Sequence, residues 1–278
     1  MVLIAGILVA TLVTASAGCS PSVEETAHRL KVVTSTSLLT YIVERVGGDL
    51  VEVYNVVPPA QHPGDFDARP SDIKKLAEAD LFLLHGWPGE TFAAGLIESA
   101  DNADLRVARI EIPGNWMTPP VQVQAADAVA EVLADIDGDN EAGYIRNAGV
   151  YKEVAVSLGT DMQSRVRDAR PPRLNVLSEF FLGGFAEWLG FPVVATYGGP
   201  RPLTPDSIRK LIDEGRAAEV ILVIDNLQSG RDAGKGIAEE LGTARVTLSN
   251  FPGGYEDTST WEEAVVHNVD LILEALAR

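Results

Sequence analysis

Cysteine, histidine and basic side chains are all scarce in this chain. One cysteine, Cys19, in 278 residues excludes an intrachain disulfide and any cysteine cluster for a metal. The 22 Lys and Arg against 40 Asp and Glu leave a formal charge of -18, which argues against nucleic acid or an anionic membrane held by phosphate neutralisation. A cationic ligand or a high-salt habitat suits that sign better. Gly-x-Ser-x-Gly elbows, His-Glu-x-x-His pairs and phosphate-cradling glycine loops are also missing, so no enzyme motif is present.

What remains is a globular composition. With 46% hydrophobic and 22% charged residues the chain has the material for two domains of ordinary size, and it is not a disordered protein. The longest uncharged stretch is at the start. MVLIAGILVATLVTASAG, residues 1–18, is apolar and ends in small residues, the pattern of a secretory signal. Ser16-Ala-Gly-Cys19 resembles a lipobox, which predicts that Cys19 is lipidated and that residues 19–29 are a polar tether. The competing reading is a single transmembrane anchor, for which the run is short against a span of ~20 residues. Both readings put the remainder outside a cytoplasmic membrane, on its outer face.

From residue 30 the pattern alternates between strand and helix. Strands are predicted at 30–34, 51–57, 81–85 and 105–112, and helices at 38–46, closed by Gly47-Gly48, and 70–79, with Ser71 as cap candidate. Helical runs without proline follow at 121–135 and 140–168; the second would span ~40 Å, and Gly143, Gly149 and Gly159 interrupt it. Pro171-Pro172 ends that run. Strands at 174–177, 192–196, 220–224 and 244–248 then alternate with helices at 180–189, 204–212, 232–241 and 261–276, with Thr204 as cap and Pro205 at the first turn. The expected fold is α/β: two Rossmann-like lobes with parallel sheets, joined by a long rigid helix, with a ligand cleft between them. The lobes are placed at 30–139 and 170–278 and the backbone helix at 140–169.

Open α/β sheets bind ligands at the carboxyl ends of their strands. Five features fall there: the loop VPPAQHPGDFDARPSD (57–72) with His62, Asp65 and Asp67; His85-Gly-Trp87 with Glu90; Ser178-Glu179; Asp225-Asn226; and Ser249-Asn250. The stretches VEVYNVVPP, FDARPSDIKKLAEADLFLLHG, LSEFFLGGFAEWLGF, LTPDSIRKLIDEG and VILVIDNLQSGRDAGKGIAEELG, in this order and spacing, resemble the zinc- and manganese-binding cluster of ABC-transporter substrate-binding lipoproteins over residues 31–277. The resemblance implies capture of a metal or other small solute between the lobes and delivery to an ABC permease with its ATPase. It implies no catalysis.

Carried over residue by residue, the family's first histidine ligand falls on Gly64, with His62 two positions earlier. No histidine lies between Asn115 and Asn140 to supply the second. The third ligand falls on Glu179 and the fourth near Ser249 or Asn250. The metal candidates are therefore Glu179, His85, His62 and a carboxylate such as Asp225 or Asp65, since a side-chain metal site needs ~4 donors. Glu179 stands out, because a carboxylate between Leu177 and Phe180-Phe181 is costly to bury without a partner or ligand. Zinc or manganese is the expected cargo. Trp87 and Trp116 on loops leave two alternatives open: a non-metal or chelated solute held against aromatic faces, or an adhesin-like lipoprotein whose metal site has lapsed.

Overall fold

The computed structural model describes residues 29–169, 174–199 and 202–277. The signal at 1–18, Cys19, most of the tether and the Pro171-Pro172 break lie outside the described residues. In the first strand, β1 (Leu30–Thr34), Leu30 and Val32 face one side and Val33 the other, so both faces are apolar, as in a buried parallel strand. It is followed by α1 (Ser37–Gly47), β2 (Val51–Asn55), α2 (Pro70–Ala77), β3 (Leu81–Leu84), α3 (Phe92–Ala100) and β4 (Arg106–Arg109). The four strands are parallel, in the order β2-β1-β3-β4.

Two long helices come next, α4 (Pro119–Ile136) and α5 (Glu141–Asp168). The second half contains β5 (Val176–Glu179), α6 (Gly183–Trp188), β6 (Val193–Tyr197), α7 (Pro205–Ala217), β7 (Leu222–Asn226), the short α8 (Leu227–Gly230), α9 (Lys235–Leu241), β8 (Ala244–Leu248) and α10 (Trp261–Leu276). Its parallel sheet has the order β6-β5-β7-β8, so the topology of the first half is repeated strand for strand.

One core serves both sheets. Leu81 and Leu83 of β3, Val176 of β5, Leu222 and Ile224 of β7 and Leu248 of β8 all belong to a single apolar cluster with α1, α4, α5 and α10. The outer faces have separate, smaller cores under α2 and α3 in one lobe and α7 and α9 in the other. Helix α5 buries Tyr144, Ala148, Tyr151, Ala155, Gly159, Met162 and Val166, a repeat of three and four residues that keeps one stripe inward over 28 residues. It is tied to both halves: Asn147 Nδ2 donates to Val46 O (2.9 Å), and Gln163 Nε2 to Trp188 O (2.7 Å).

Four expectations are corrected. Helix α3 had no sequence counterpart; its Thr91 start makes no side-chain cap, so no punctuation marks it. Ser71 is not the cap of α2: Pro70 opens that helix and Asp72 Oδ2 accepts from Arg69 N (2.7 Å). Strands β5 and β7 each lie two residues later than hydrophobicity suggested, because pairing of Leu222 to Asn226 with Ala244 to Leu248 fixes the register. Glu179, Asp225 and Asn226 are therefore strand residues. The glycines of α5 do not break it.

Those glycines make opposite predictions. A Cβ at Gly159 would overlap the rigid Pro119 ring and lie 3.2 Å from Trp188 Cζ2, whereas one at Gly149 meets nothing within 4 Å. Gly159→Ala is expected to destabilise by about 1–3 kcal/mol through overpacking, despite its gain in helix propensity. Gly149→Ala is expected to stabilise by about 0.5–1 kcal/mol. Chemical denaturation of the two variants beside wild type checks the sign of each.

Candidate functional site

The carboxyl ends of β1, β3, β5 and β7 are where each sheet reverses its strand order, the usual position for ligand loops. His85 follows β3 and is buried, with 1% exposure. Its Nε2 is 2.7 Å from Thr36 Oγ1, in the loop after β1. The imidazole lies flat on Trp87 (centroids 3.6 Å apart, planes 2° apart) and meets the edge of Trp116 at 4.2 Å. Burial holds its pKa well below the usual histidine range, so the ring is neutral near pH 7. Glu90 does not join this group. Its two oxygens accept from the backbone N–H groups of His85, Gly86 and Trp87 (2.7–3.0 Å), which shapes the loop and leaves the carboxylate fully engaged.

His62 lies on the loop after β2 and caps the turn at Pro63–Asp65, its Nδ1 accepting from Gly64 N (3.0 Å). A side chain at 64 would begin 3.0 Å from that ring nitrogen, so the imidazole occupies the space over the glycine. With Nδ1 as acceptor, the neutral ring carries its proton on Nε2; binding a metal there requires the turn bond to be given up. The ring packs against Phe181 of the other lobe, with centroids 5.8 Å apart. Asp65 and Asp67 on the same loop are solvent-exposed.

Glu179 closes β5 with 1% exposure. Its Oε2 accepts from Phe181 N (2.9 Å) and from Asn226 Nδ2 (3.0 Å), while Oε1 has no hydrogen-bond partner. Burial raises its pKa; the bonds from Asn226 and Phe181 oppose this, as does the Gly199 amide, which makes no hydrogen bond of ordinary geometry to the free oxygen. The negative charge of Asp225 adds a smaller upward push.

Asp225, the fourth metal candidate, has both oxygens engaged by other groups. Its Oδ1 accepts from Tyr197 OH (2.7 Å) and Gly234 N (2.6 Å), and its Oδ2 pairs with Arg245 Nη1 (2.6 Å). Successive strand residues point to opposite faces, so Asp225 turns into the outer core beside Tyr197 while its neighbour Asn226 turns towards Glu179. Ser249 and Asn250, where resemblance placed the fourth ligand, are held by Gln228: its Nε2 donates to Ser249 Oγ (3.0 Å) and its Oε1 accepts from Asn250 N (3.0 Å). Gln228 Nε2 also donates to Pro59 O (2.8 Å) in the other lobe, and Asn115 Nδ2 crosses to Phe181 O (2.6 Å).

Among the described residues no three His, Cys, Asp or Glu side chains form a group able to hold a metal ion. The predicted quartet is thus not assembled: His62, His85 and Glu179 stand near the interlobe boundary, and Asp225 is withdrawn from it. Four buried side-chain atoms among the described residues lack a partner: Ser35 Oγ, Asn55 Oδ1, His85 Nδ1 and Glu179 Oε1. All four belong to residues at the carboxyl end of a strand or just past it. Buried polar atoms are nearly always bonded, so each of these four is open to a partner from an ordered water or a ligand. Sequence reasoning named Asn226 beside Asp225 without giving it a role and missed Thr36 and Gln228, whose contacts are formed between distant segments and have no local signal.

Two predictions follow from these contacts. Because folding depresses the pKa of His85, its contribution to stability is full above the ordinary value of 6.5 and falls as pH drops below it. His85→Gln therefore destabilises less at pH 5 than at pH 7, by up to about 1.4 kcal/mol per unit below 6.5, and urea denaturation at both pH values measures the difference. Asp225→Ala leaves the buried Gly234 amide without its acceptor and takes one of two carboxylates from Arg245, which keeps Asp232 (3.0 Å), and is expected to cost about 1–3 kcal/mol of stability, read by the same method.

The family model described as "Zinc-uptake complex component A periplasmic" (ZnuA) matches residues 32–275. The chain is 24% identical over 296 aligned positions to the manganese-binding lipoprotein MntA of Halalkalibacterium halodurans, covering 98% of this chain and 97% of that protein. It is 24% identical over 250 positions to the iron-binding protein YfeA of Yersinia pestis, covering 84% and 80%. Among solved structures, the SBP FpvC of P. aeruginosa with Ni2+ has a TM-score of 0.77 at 22% identity, covering 90% of this chain and 97% of that one. A ZnuA crystal structure gives 0.76 at 19% identity, covering 90% and 100%. These structures share the fold of two parallel-sheet lobes and a long helix, and the family match spans nearly the whole described chain: this protein belongs to the ZnuA family of periplasmic zinc-uptake component A proteins.

Proposed function

We propose that this protein is the extracytoplasmic substrate-binding subunit of an ABC importer and captures a divalent metal of the zinc or manganese class between its lobes. The observation that carries this reading is Glu179: a buried carboxylate at a strand end, held by Asn226 and Phe181 on one oxygen and free on the other. An ionised, half-partnered carboxylate in a dry site is destabilising until a cation joins it. Membership of the family, and the metals in its relatives' names, supply the cargo class. His85, with Nδ1 unpaired, and His62, released from its turn, are the nitrogen donors nearest in role.

In this reading the signal at residues 1–18 directs export and a lipid on Cys19 holds the protein to the outer face of the cytoplasmic membrane. A permease and its ATPase receive the cargo. Binding, and no bond-making, is the protein's part. Movement of the lobes is small, because one core and one helix run through both.

The test is a metal titration of the purified protein followed by thermal unfolding, with Glu179→Gln beside wild type. Folding raises the Glu179 pKa, so the ionised side chain costs stability as pH rises through its folded value, and removing the charge relieves that cost at pH 7. Metal-free Glu179→Gln is expected to melt about 2–4 °C above metal-free wild type, corresponding to about 1 kcal/mol. Saturating zinc or manganese raises the wild-type midpoint and leaves the variant's unchanged. Absence of a wild-type response to every divalent cation tried refutes the metal reading.

A further inference from the structure

We propose that the cleft takes its metal as a flat organic chelate of neutral or positive charge, with the protein adding one or two donors to a shell that the chelator largely supplies. This rests on the metal reading above and specifies the form in which the metal arrives.

The donor count is the first reason. A transition metal bound by side chains alone wants ~4 N or O donors. No three candidate donors are grouped among the described residues. Asp225 is locked to Arg245, Glu90 is locked to three amides, and the His62 acceptor nitrogen is committed to Gly64. Among the buried groups that leaves Glu179 Oε1 and His85 Nδ1, both on side chains with 1% exposure and both unpaired, while Asp65 and Asp67 stay in solvent on the His62 loop. Two donors do not satisfy a bare ion, but they suit a complex with one or two open coordination positions.

The second reason is what surrounds those donors. His85 is stacked on Trp87, and Trp87 reaches Phe251 of the other lobe at a centroid distance of 6.4 Å. Phe181, two residues from Glu179, is 37% exposed and faces His62 across the boundary. These rings touch one another across the boundary, and a planar organic ligand that parts them replaces those contacts by its own stacking and area burial, whereas a small hydrated ion does not. Charge supplies the third reason. Glu179 is an unpaired carboxylate in a chain of net charge -18, which disfavours an anionic complex.

The remaining polar groups at the boundary are carboxamides. Asn115 bridges Phe181 O and Asn250 Oδ1 (3.4 Å), and Asn226 supports Glu179. Amides both donate and accept, so they match the carbonyl and N–H groups of an organic ligand and add no charge.

The full-length protein is titrated with nickel chloride alone, with nickel carrying one equivalent of phenanthroline or of the planar, neutral, tetradentate quaterpyridine, and with each chelator free of metal. Tryptophan fluorescence and calorimetry report binding. At least one chelate is expected to bind about tenfold or more tightly than nickel alone, and Glu179→Gln and Trp87→Ala each to weaken that chelate by about tenfold. Phe181→Ala, at an exposed position, tests the aromatic wall if Trp87→Ala fails to fold, with the same loss expected. Nickel alone binding as tightly as both chelates overturns the chelate proposal and leaves the metal reading standing. Metal-free chelator binding as tightly as the chelate, without regard to Glu179, overturns both, as does failure of every probe to bind.

Discussion

The constraint on which this molecule depends is that two sheets share one core. Leu83 of β3 and Ile224 of β7 lie in the same apolar cluster, and α5 passes through it with a single inward stripe. Neither lobe can bury its inner face without α4, α5 and α10, so the lobes do not behave as beads on a linker. Trp116 O illustrates how far the integration goes: it accepts from Gln122 Nε2 (2.5 Å) on α4 and from Trp261 Nε1 (3.2 Å) on α10. Gln122 in turn accepts from Tyr151 OH (2.6 Å) on α5. A buried polar network of this kind, satisfied at every member, fixes one arrangement and penalises others. Trp116 is also the edge against His85, so the core positions the site directly.

The carboxylates show how the chain separates structure from function with one residue type. Asp72 is spent on the start of α2, Glu90 on a loop of three amides, and Asp225 on Tyr197, Gly234 and Arg245. Each is buried and each has its oxygens engaged, as the cost of an unpartnered buried charge requires. Glu179 departs from this rule on one oxygen only. Because Asn226 and Phe181 hold Oε2, the side chain cannot swing to find another partner for Oε1. Unpaired capacity held rigidly in place is what a binding site needs from its supporting residues.

Most of the fold was legible in the sequence and much of the site was not, for different physical reasons. Strand β8 and helix α10 were placed to the residue, because a short apolar run and an amphipathic repeat each carry their own period. Helix α3 was missed because its start has no cap and Gly95 breaks its composition. In the site, one residue of register decided everything: the strand alternation that hides Asp225 presents Asn226, and hydrophobicity alone could not say which. The pairing with Arg245 is formed across β8 and has no local signature. His62 was legible as a loop histidine, yet its commitment to Gly64 is a local turn bond that only coordinates reveal.

The contacts between lobes also explain why closure leaves little trace in composition. Gln228 donates to Pro59 O, Ser37 Oγ to Pro252 O (2.8 Å) and Asn115 to Phe181 O, so most acceptors are backbone carbonyls, which any residue supplies. Two of these carbonyls belong to prolines. Proline fixes its φ and has no N–H to bond elsewhere, so the loop carrying each carbonyl has fewer conformations to lose when the donor arrives. Two of the contacts reach side chains instead: Asn115 Nδ2 donates to Asn250 Oδ1 (3.4 Å), and Glu262, on the first turn of α10, accepts from Tyr41 OH and pairs with Arg45 (3.6 Å) of α1. The loop carrying His62 is thus anchored through Pro59 to the far lobe, a few residues from its histidine.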